Sequence, residues 1–558
     1  MVQKWYKETN STWGDVLDEG AVQCPEKPFV KFKDSWISYG EFRNNVDAFA
    51  KGLLKLGVQK GDNIALWMGN CFEWMYAQFA IYKLGCAMVP LYTRWRRVEV
   101  EYALRQSDAT TLIMEESFLG GKIDALGILK DLIQEIGRLE PNELKTDKFP
   151  ALERVVFIGK NRPKGAFDYF KVMDLGKAKE LDDRLHLIQD SVDPFDVMNI
   201  MYTSGTTGFP KGGMSMHRNN MSTVYHWAGE RIKIKETDRV LNNFPLYSNF
   251  GCFVIYFTLF FRASMVLTET YDPAETLDII DKDKITAIFG SPPMFAMLMD
   301  HPDFKKKDVS TLQKGVIGGS PVSPSLFKRI YNEMGVKGLI TAYGLSEAGA
   351  VSNTTLQDDP LEIKARTVGI PIPSFRVRVV DPNTGESIPA GSQGEIWFKD
   401  VYTGSALGKG YYNMPDKTAE ATSKDGWFRT GDLGTIDEKG YLTITGRLKD
   451  MALVGGFNVY PVEIENFLST HPKIQQAFVL GVPDKRLDEV VMAYIVLKKD
   501  QPASEQEIID FCKENIANYK VPKYVRFIDI SEVPFSGHEK VQKYKLKERA
   551  IQELGLTE

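Results

Sequence analysis

Tyr202 to Gly212, YTSGTTGFPKG, gathers four serine or threonine hydroxyls, three glycines and one lysine into a run too polar for a core. Bare backbone N–H groups in a glycine-rich turn form a concave anion site, and short hydroxyl side chains add donors that a phosphate reaches without a clash. The P-loop pattern G-x-x-x-x-G-K-[ST] is not met, because Lys211 follows a proline and precedes glycines, and G-x-G-x-x-G is also missing. Taken by itself, the run reads equally as a solvent loop with ordinary turn chemistry.

Around this run the text alternates between helix and strand. ISYGEFRNNVDAFAKGLLKLG (37–57) has apolar residues at helical spacing, and GDNIALWMG (61–69) is a short apolar strand after a turn. The alternation recurs through KLGCAMVPL, RVEVEYALRQSDATTLIM and IDKDKITAIFGSPPMF, which predicts an α/β body of helix-covered sheets. After about Arg366 the style turns to alternating strands and Pro-Asn-Thr-Gly turn chemistry, predicting a β-rich subdomain. A boundary is expected in the polar stretch Gly446 to Asp450, giving a large domain over 1–448 and a small α/β domain over 449–558.

At 558 residues the chain exceeds the size of a single core, and its apolar and charged fractions of 43% and 26% are those of an ordinary folded protein. A net charge of −5 offers no global attraction to nucleic acid or anionic membrane. Cys24, Cys71, Cys86, Cys252 and Cys512 are scattered without a C-x-x-C pair, which suggests neither a disulfide framework nor a zinc site and fits a reducing, cytoplasmic setting. The N-terminal stretch has no signal-like apolar region. The longest apolar run, Phe250 to Phe261, is too short to span a bilayer and is expected as a buried helix or strand beside a pocket.

Further motifs follow in order: GGSP (318–321), AYGLSE (342–347), GWFRTGDLG (426–434) and GRLKDMALVGGFNVYPVEIE (446–465). Together with YTSGTTGFPKG they resemble the adenylate-forming superfamily, in its acyl-CoA synthetase branch. The resemblance implies ATP, Mg²⁺, CoA and a small carboxylic acid as partners, no nucleic acid, and leaves a homodimer open. It implies that Thr203, Ser204, Gly205, Thr206, Thr207, Gly208 and Lys211 hold the phosphates, and that Gly319, Ser320, Pro321, Ala342, Tyr343, Gly344, Ser346 and Ile444 surround the nucleotide, with Tyr343 stacked on adenine. Asp432 would accept from the ribose hydroxyls with Arg447 nearby, while Glu347 and Thr203 would help hold Mg²⁺.

VPFSGHEKVQKYK (533–545) resembles the family segment ending in the adenylation lysine, which makes Lys540 the catalytic choice beside Glu347 and Thr203. The usual glycine before it is Glu539 here. The resemblance further implies a mobile C-terminal domain turning about Lys449, with Gly455 and Gly456 along the CoA tunnel or, alternatively, in a plain turn. Tyr247, Ser248, Gly318, Gly344 and Leu345 would line the acyl pocket. Gly344 stands where acetate-specific relatives carry tryptophan, so a longer or cyclic acid is expected. The implied reaction forms acyl-AMP and pyrophosphate, then passes the acyl group to CoA; delivery to a separate carrier and a non-catalytic ATP sensor are the alternatives.

Overall fold

Ser38 and Glu41 decide where the first long helix begins. The Ser38 hydroxyl accepts from the Glu41 N–H and the Glu41 carboxylate accepts from the Ser38 N–H, a reciprocal cap that starts the helix at Tyr39–Lys55. Ile37, within the helix-like text, therefore lies in a strand, Ser35–Ser38. The computed structural model describes residues 11–203, 210–320, 322–348, 350–402, 408–455, 457–535 and 541–556.

Two large sheets form the body. One has nine strands in the order Ile370–Pro371, Ala350–Thr354, Gly338–Leu345, Lys314–Gly318, Ala287–Gly290, Arg239–Asn242, Ser264–Leu267, Pro28–Phe32, Ser35–Ser38, parallel through its middle. The other has seven, Lys211–Met216, Val197–Thr203, Ala87–Pro90, Asn63–Trp67, Thr111–Glu115, Arg154–Ile158, Phe167–Asp168. Parallel strands of this kind are buried on both faces. Residues of both sheets share one apolar cluster with the helices Trp13–Gln23, Tyr39–Lys55, Phe72–Lys83 and Asn249–Phe260. The last of these is the long apolar run of the sequence, and it is a buried helix, apolar all round as a helix enclosed on every side must be.

The β-rich subdomain is a four-stranded antiparallel sheet, Phe375–Val380, Gly394–Asp400, Phe428–Ile436, Leu442–Arg447. Beyond it a five-stranded sheet with its own two apolar clusters makes the small domain. Among the described residues, no hydrogen bond or ion pair joins 11–446 to 451–556. The link is the turn in which the Asp450 N–H donates to Arg447 O at 3.2 Å, together with the helix Pro461–Leu468 resting on the strand Leu442–Arg447.

Loop 244–248 is fixed by a buried amide from the other sheet. Asn70, just beyond the strand Asn63–Trp67, donates through Nδ2 to the carbonyls of Phe244 and Thr268, both at 2.9 Å, and its Oδ1 accepts from the Leu246 N–H at 2.8 Å. Ser248 then caps the helix Asn249–Phe260. Gly251 is required there, because a Cβ would fall 2.3 Å from Pro245 O. Three buried backbone groups depend on Asn70, so Asn70→Ala is expected to cost about 2–4 kcal/mol of stability. Thermal melts of the variant beside Asn70→Asp, which keeps the acceptor, measure it; equal melting temperatures for wild type and Asn70→Ala would refute the clamp.

Candidate active site

Thr203 ends the strand Val197–Thr203 and stands directly opposite Lys211 in its antiparallel partner Lys211–Met216. The hydroxyl- and glycine-rich run is thus the connection of a hairpin, with a buried Thr203 on one side and Lys211 on the other. Ser204, Gly205, Thr206, Thr207 and Gly208 lie outside the described residues. The bases of the connection are heavily braced. Tyr92 donates to Tyr202 O at 2.6 Å, Tyr102 to Pro210 O at 3.0 Å, and Tyr202 to Gln106 Oε1 at 2.6 Å. Gln106 Nε2 continues the chain to Tyr412 O at 2.6 Å. Such support fixes Tyr202 and Pro210, the described residues that flank the connection. Sequence reasoning missed these bracing roles; Tyr102 and Gln106 share the helix Arg97–Gln106, and Tyr92 precedes it.

Glu347 lies in the turn Ser346–Ala348 that follows the strand Gly338–Leu345, half-buried, and this turn packs against both strands of the hairpin. Its carboxylate acts on Tyr92, Tyr411 and Lys211. Burial pushes the Lys211 ammonium below the usual lysine range, and repulsion from Lys417 and Lys449 adds to the shift, while Glu420 and Glu347 oppose it. A lysine held among other cations in this way suits an anionic ligand.

The nucleotide motifs converge through strand register. Gly318 pairs with Ala342, so the exposed Gly319 and Ser320 leave their strand beside the one that carries Tyr343. Tyr343 donates through Oη to Asp432 Oδ2 at 2.7 Å, and Arg447, cross-strand neighbour of Asp432, donates through Nε to Oδ1 at 2.7 Å. Burial, and then the Asp432 carboxylate, push the Tyr343 phenol well above its usual range. Asp432 is buried, yet each carboxylate oxygen has a lone pair to spare after these bonds. Ile444 lies half-buried on the Arg447 strand. Pro321 lies outside the described residues.

In the expected acyl pocket, Tyr247 is buried edge-on against Tyr92, with ring centroids 5.1 Å apart. Gly344 is half-buried and Leu345 buried. Ser248 is occupied locally, its hydroxyl donating to Pro245 O at 2.7 Å and accepting from the Gly251 N–H at 3.1 Å. Gly318 answers to its own sheet, since a Cβ there would come 2.8 Å from Ala342 O. Gly455 turns between the strands Ala452–Val454 and Phe457–Val459 at φ +57°, a conformation that favours glycine. Gly456 and Lys540 lie outside the described residues, whereas Lys449 lies in the turn between the domains.

The AMP-binding enzyme family profile matches residues 17–412, and that of the AMP-binding enzyme C-terminal domain matches 463–540. The chain is 37% identical over 554 residues to YngI of Bacillus subtilis (strain 168), whose name assigns it provisionally to the acyl-CoA synthetases, with 98% of each chain covered. It is 34% identical over 553 residues to the mitochondrial medium-chain acyl-CoA ligase ACSF2 of Danio rerio, covering 98% of this chain and 89% of that one. The crystal structure of the anthranilate CoA ligase AuaEII in complex with anthranoyl-AMP matches with a TM-score of 0.85 at 25% identity over 100% of both chains. With both profiles met in order and relatives matched nearly end to end, the chain belongs to the AMP-binding enzymes, the adenylate-forming acid-thiol ligases.

Proposed function

We propose that this AMP-forming acyl-CoA synthetase activates a medium-chain, cyclic or aromatic carboxylic acid at the site built around Thr203, Lys211, Tyr343, Glu347 and Asp432. The observation that carries the residue assignment is the convergence of four separated motifs on two adjoining clusters. Tyr343, Asp432 and Arg447 make the nucleoside end; Thr203, Lys211 and Glu347 make the phosphate end.

In the first half-reaction a carboxylate oxygen attacks the α-phosphorus of ATP, forming the acyl O–P bond as the bond to the β-phosphate bridge breaks and pyrophosphate leaves. In the second, the CoA sulfur attacks the acyl carbon, the C–S bond forms, the C–O bond to phosphate breaks, AMP departs and the thiol proton passes to solvent. The chain supplies no nucleophile; it positions the reactants and meets charge on the phosphoryl oxygens. Tyr343 would offer its ring to adenine and Asp432 its spare lone pairs to the ribose hydroxyls. Lys211 and the hairpin connection would hold the β- and γ-phosphates. Glu347 and Thr203 are hard oxygen donors of the kind that suits Mg²⁺, which supplies charge neutralisation on the phosphates when bound.

Domain alternation about Lys449 is part of the same reading. The small domain has its own cores and meets the body chiefly through one turn, so it can bring Lys540 to the phosphates for the first step and withdraw it for the second. Support for the acid class comes from the absent side chain at Gly344 and from relatives named as medium-chain and anthranilate ligases. The cysteines are thiols, in keeping with a cytoplasmic location, and among the described residues no helix is long and apolar enough to cross a membrane.

Incubation with MgATP, CoA and a panel of short, medium, long, cyclic and aromatic acids, with products identified by mass, is expected to give acyl-CoA from medium or ring-bearing acids and little from acetate. Acyl-AMP without thioester would move the acceptor to a carrier protein. Asp432→Ala should raise the KM for ATP about tenfold or more, because two charge-assisted bonds to ribose are lost, whereas Tyr343→Phe should change it less. An unchanged KM in Asp432→Ala would remove the ribose role. Lys540→Ala should slow acyl-AMP formation on the order of 100-fold or more while thioester formation from supplied acyl-AMP continues. Lys449→Pro should slow thioester formation more than adenylation; equal loss of both would sink the hinge.

A further inference from the structure

The strand that begins with Lys211 gains a neighbour from far along the chain. Gly213 bridges to Tyr411 in antiparallel sense, the Tyr412 N–H donates to Gly212 O at 2.8 Å, and the Met214 N–H donates to Gly410 O at 2.9 Å. Residues 410–412 then pass directly into the helix Pro415–Ala421. This segment is tightly fixed. Thr418 Oγ1 accepts from the Tyr411 N–H at 2.9 Å and donates to Met414 O at 3.0 Å. Asn413 Nδ2 donates to Asp108 Oδ2 at 2.8 Å. Gly410, at φ +90°, leaves no room for a Cβ, which would fall 2.7 Å from Thr418. Lys417 therefore lies on a helix whose preceding residues, 410–412, are joined by backbone hydrogen bonds to the strand that Lys211 opens.

The helix that bears Lys417 and Glu420 is held against Tyr411 through Thr418. Lys211 lies 5.0 Å from the Tyr411 ring centroid, and it senses the charges of both Lys417 and Glu420, as Glu420 senses those of Lys417 and Lys211. Lys211 and Lys417 thus share one neighbourhood with the carboxylates Glu420 and Glu347. Like charges held together repel unless an anion sits among them. Lys417 meets both Glu420 oxygens at 2.8 Å, in a pair about half open to water. An exposed pair at this spacing is weak and readily exchanged for a better anion, and a lysine on its flexible stem serves phosphate as a movable point charge.

We propose that Lys417 is a further binding residue for the polyphosphate tail: when ATP or pyrophosphate is present it exchanges Glu420 for a phosphate oxygen and shares the tail with Lys211. Glu420 holds the ammonium in place while the tail is absent and competes with it on arrival. The inference rests on the adenylate-forming reading and adds to it a cation outside the five sequence motifs. It also assigns a task to the charged end of the segment GKGYYNMPDKTAE, to which the motifs give none.

Calorimetric titration of the full chain with MgATP, inorganic pyrophosphate and AMP tests this on wild type, Lys417→Ala, Lys417→Arg and Glu420→Gln. Lys417→Ala is expected to weaken MgATP and pyrophosphate about five- to tenfold while AMP, which lacks the tail, stays within about twofold. Lys417→Arg should restore most of the loss, and Glu420→Gln should tighten pyrophosphate by removing its competitor. The inference is overturned if Lys417→Ala binds pyrophosphate as wild type does, if Glu420→Gln weakens it equally, as a mere helix brace would, or if AMP suffers the same loss. A wild-type protein that binds neither MgATP nor AMP would instead overturn the adenylate-forming reading, and the inference with it.

Discussion

The backbone pairing of Thr203 with Lys211 is the constraint on which the remainder of the site depends. It places the run of hydroxyls and glycines as a hairpin connection, sets a buried hydroxyl and a partly desolvated ammonium across from each other, and makes the strand Lys211–Met216 available to the turn that carries Glu347 and to residues 410–412. Each of these arrivals brings charge to one place. The tyrosines under the connection contribute in a different way, since Tyr92 and Tyr102 tie their hydroxyls to the carbonyls of Tyr202 and Pro210, so the pairing is supported on both sides.

The cluster proposed for the nucleoside follows a similar logic with a carboxylate at its centre. Asp432 is buried and would be costly alone, yet Arg447 lies opposite it in the sheet and Tyr343 reaches it from the neighbouring nine-stranded sheet. The same contact that satisfies the carboxylate fixes the tyrosine ring and joins the β-rich subdomain to the main body. The atoms that give this structural support are the ones the proposed nucleoside contact would use.

Much of this was legible in the sequence because the family motifs are local strings whose order survives in one chain. The helix-and-strand alternation, the β-rich segment after Arg366 and the buried character of Phe250 to Phe261 all follow from periodicity, and the structure agrees with them. Where text and structure part, the reason is either a cap or a long-range contact. Ile37 carries helical periodicity, but the Ser38–Glu41 cap places it in a strand. The clamp of Asn70 spans 176 residues to Leu246, and Gln106 reaches across 306 to Tyr412. Neither separation leaves a pattern in a window of one helix or strand.

The sparse union between the small domain and the body can also be viewed as a matter of concentration. A separate lysine-bearing protein would have to meet the phosphates by diffusion, whereas a domain attached through the turn at Arg447 to Asp450 stays within one molecular diameter of them. Short tethers of this sort give effective concentrations on the order of millimolar. With few bonds between the two parts among the described residues, weak charge–charge attraction would suffice, in the proposed alternation, to recruit the domain, and loss of pyrophosphate would suffice to release it. The tether would then make a low-affinity encounter dependable and leave its reversal to the chemistry.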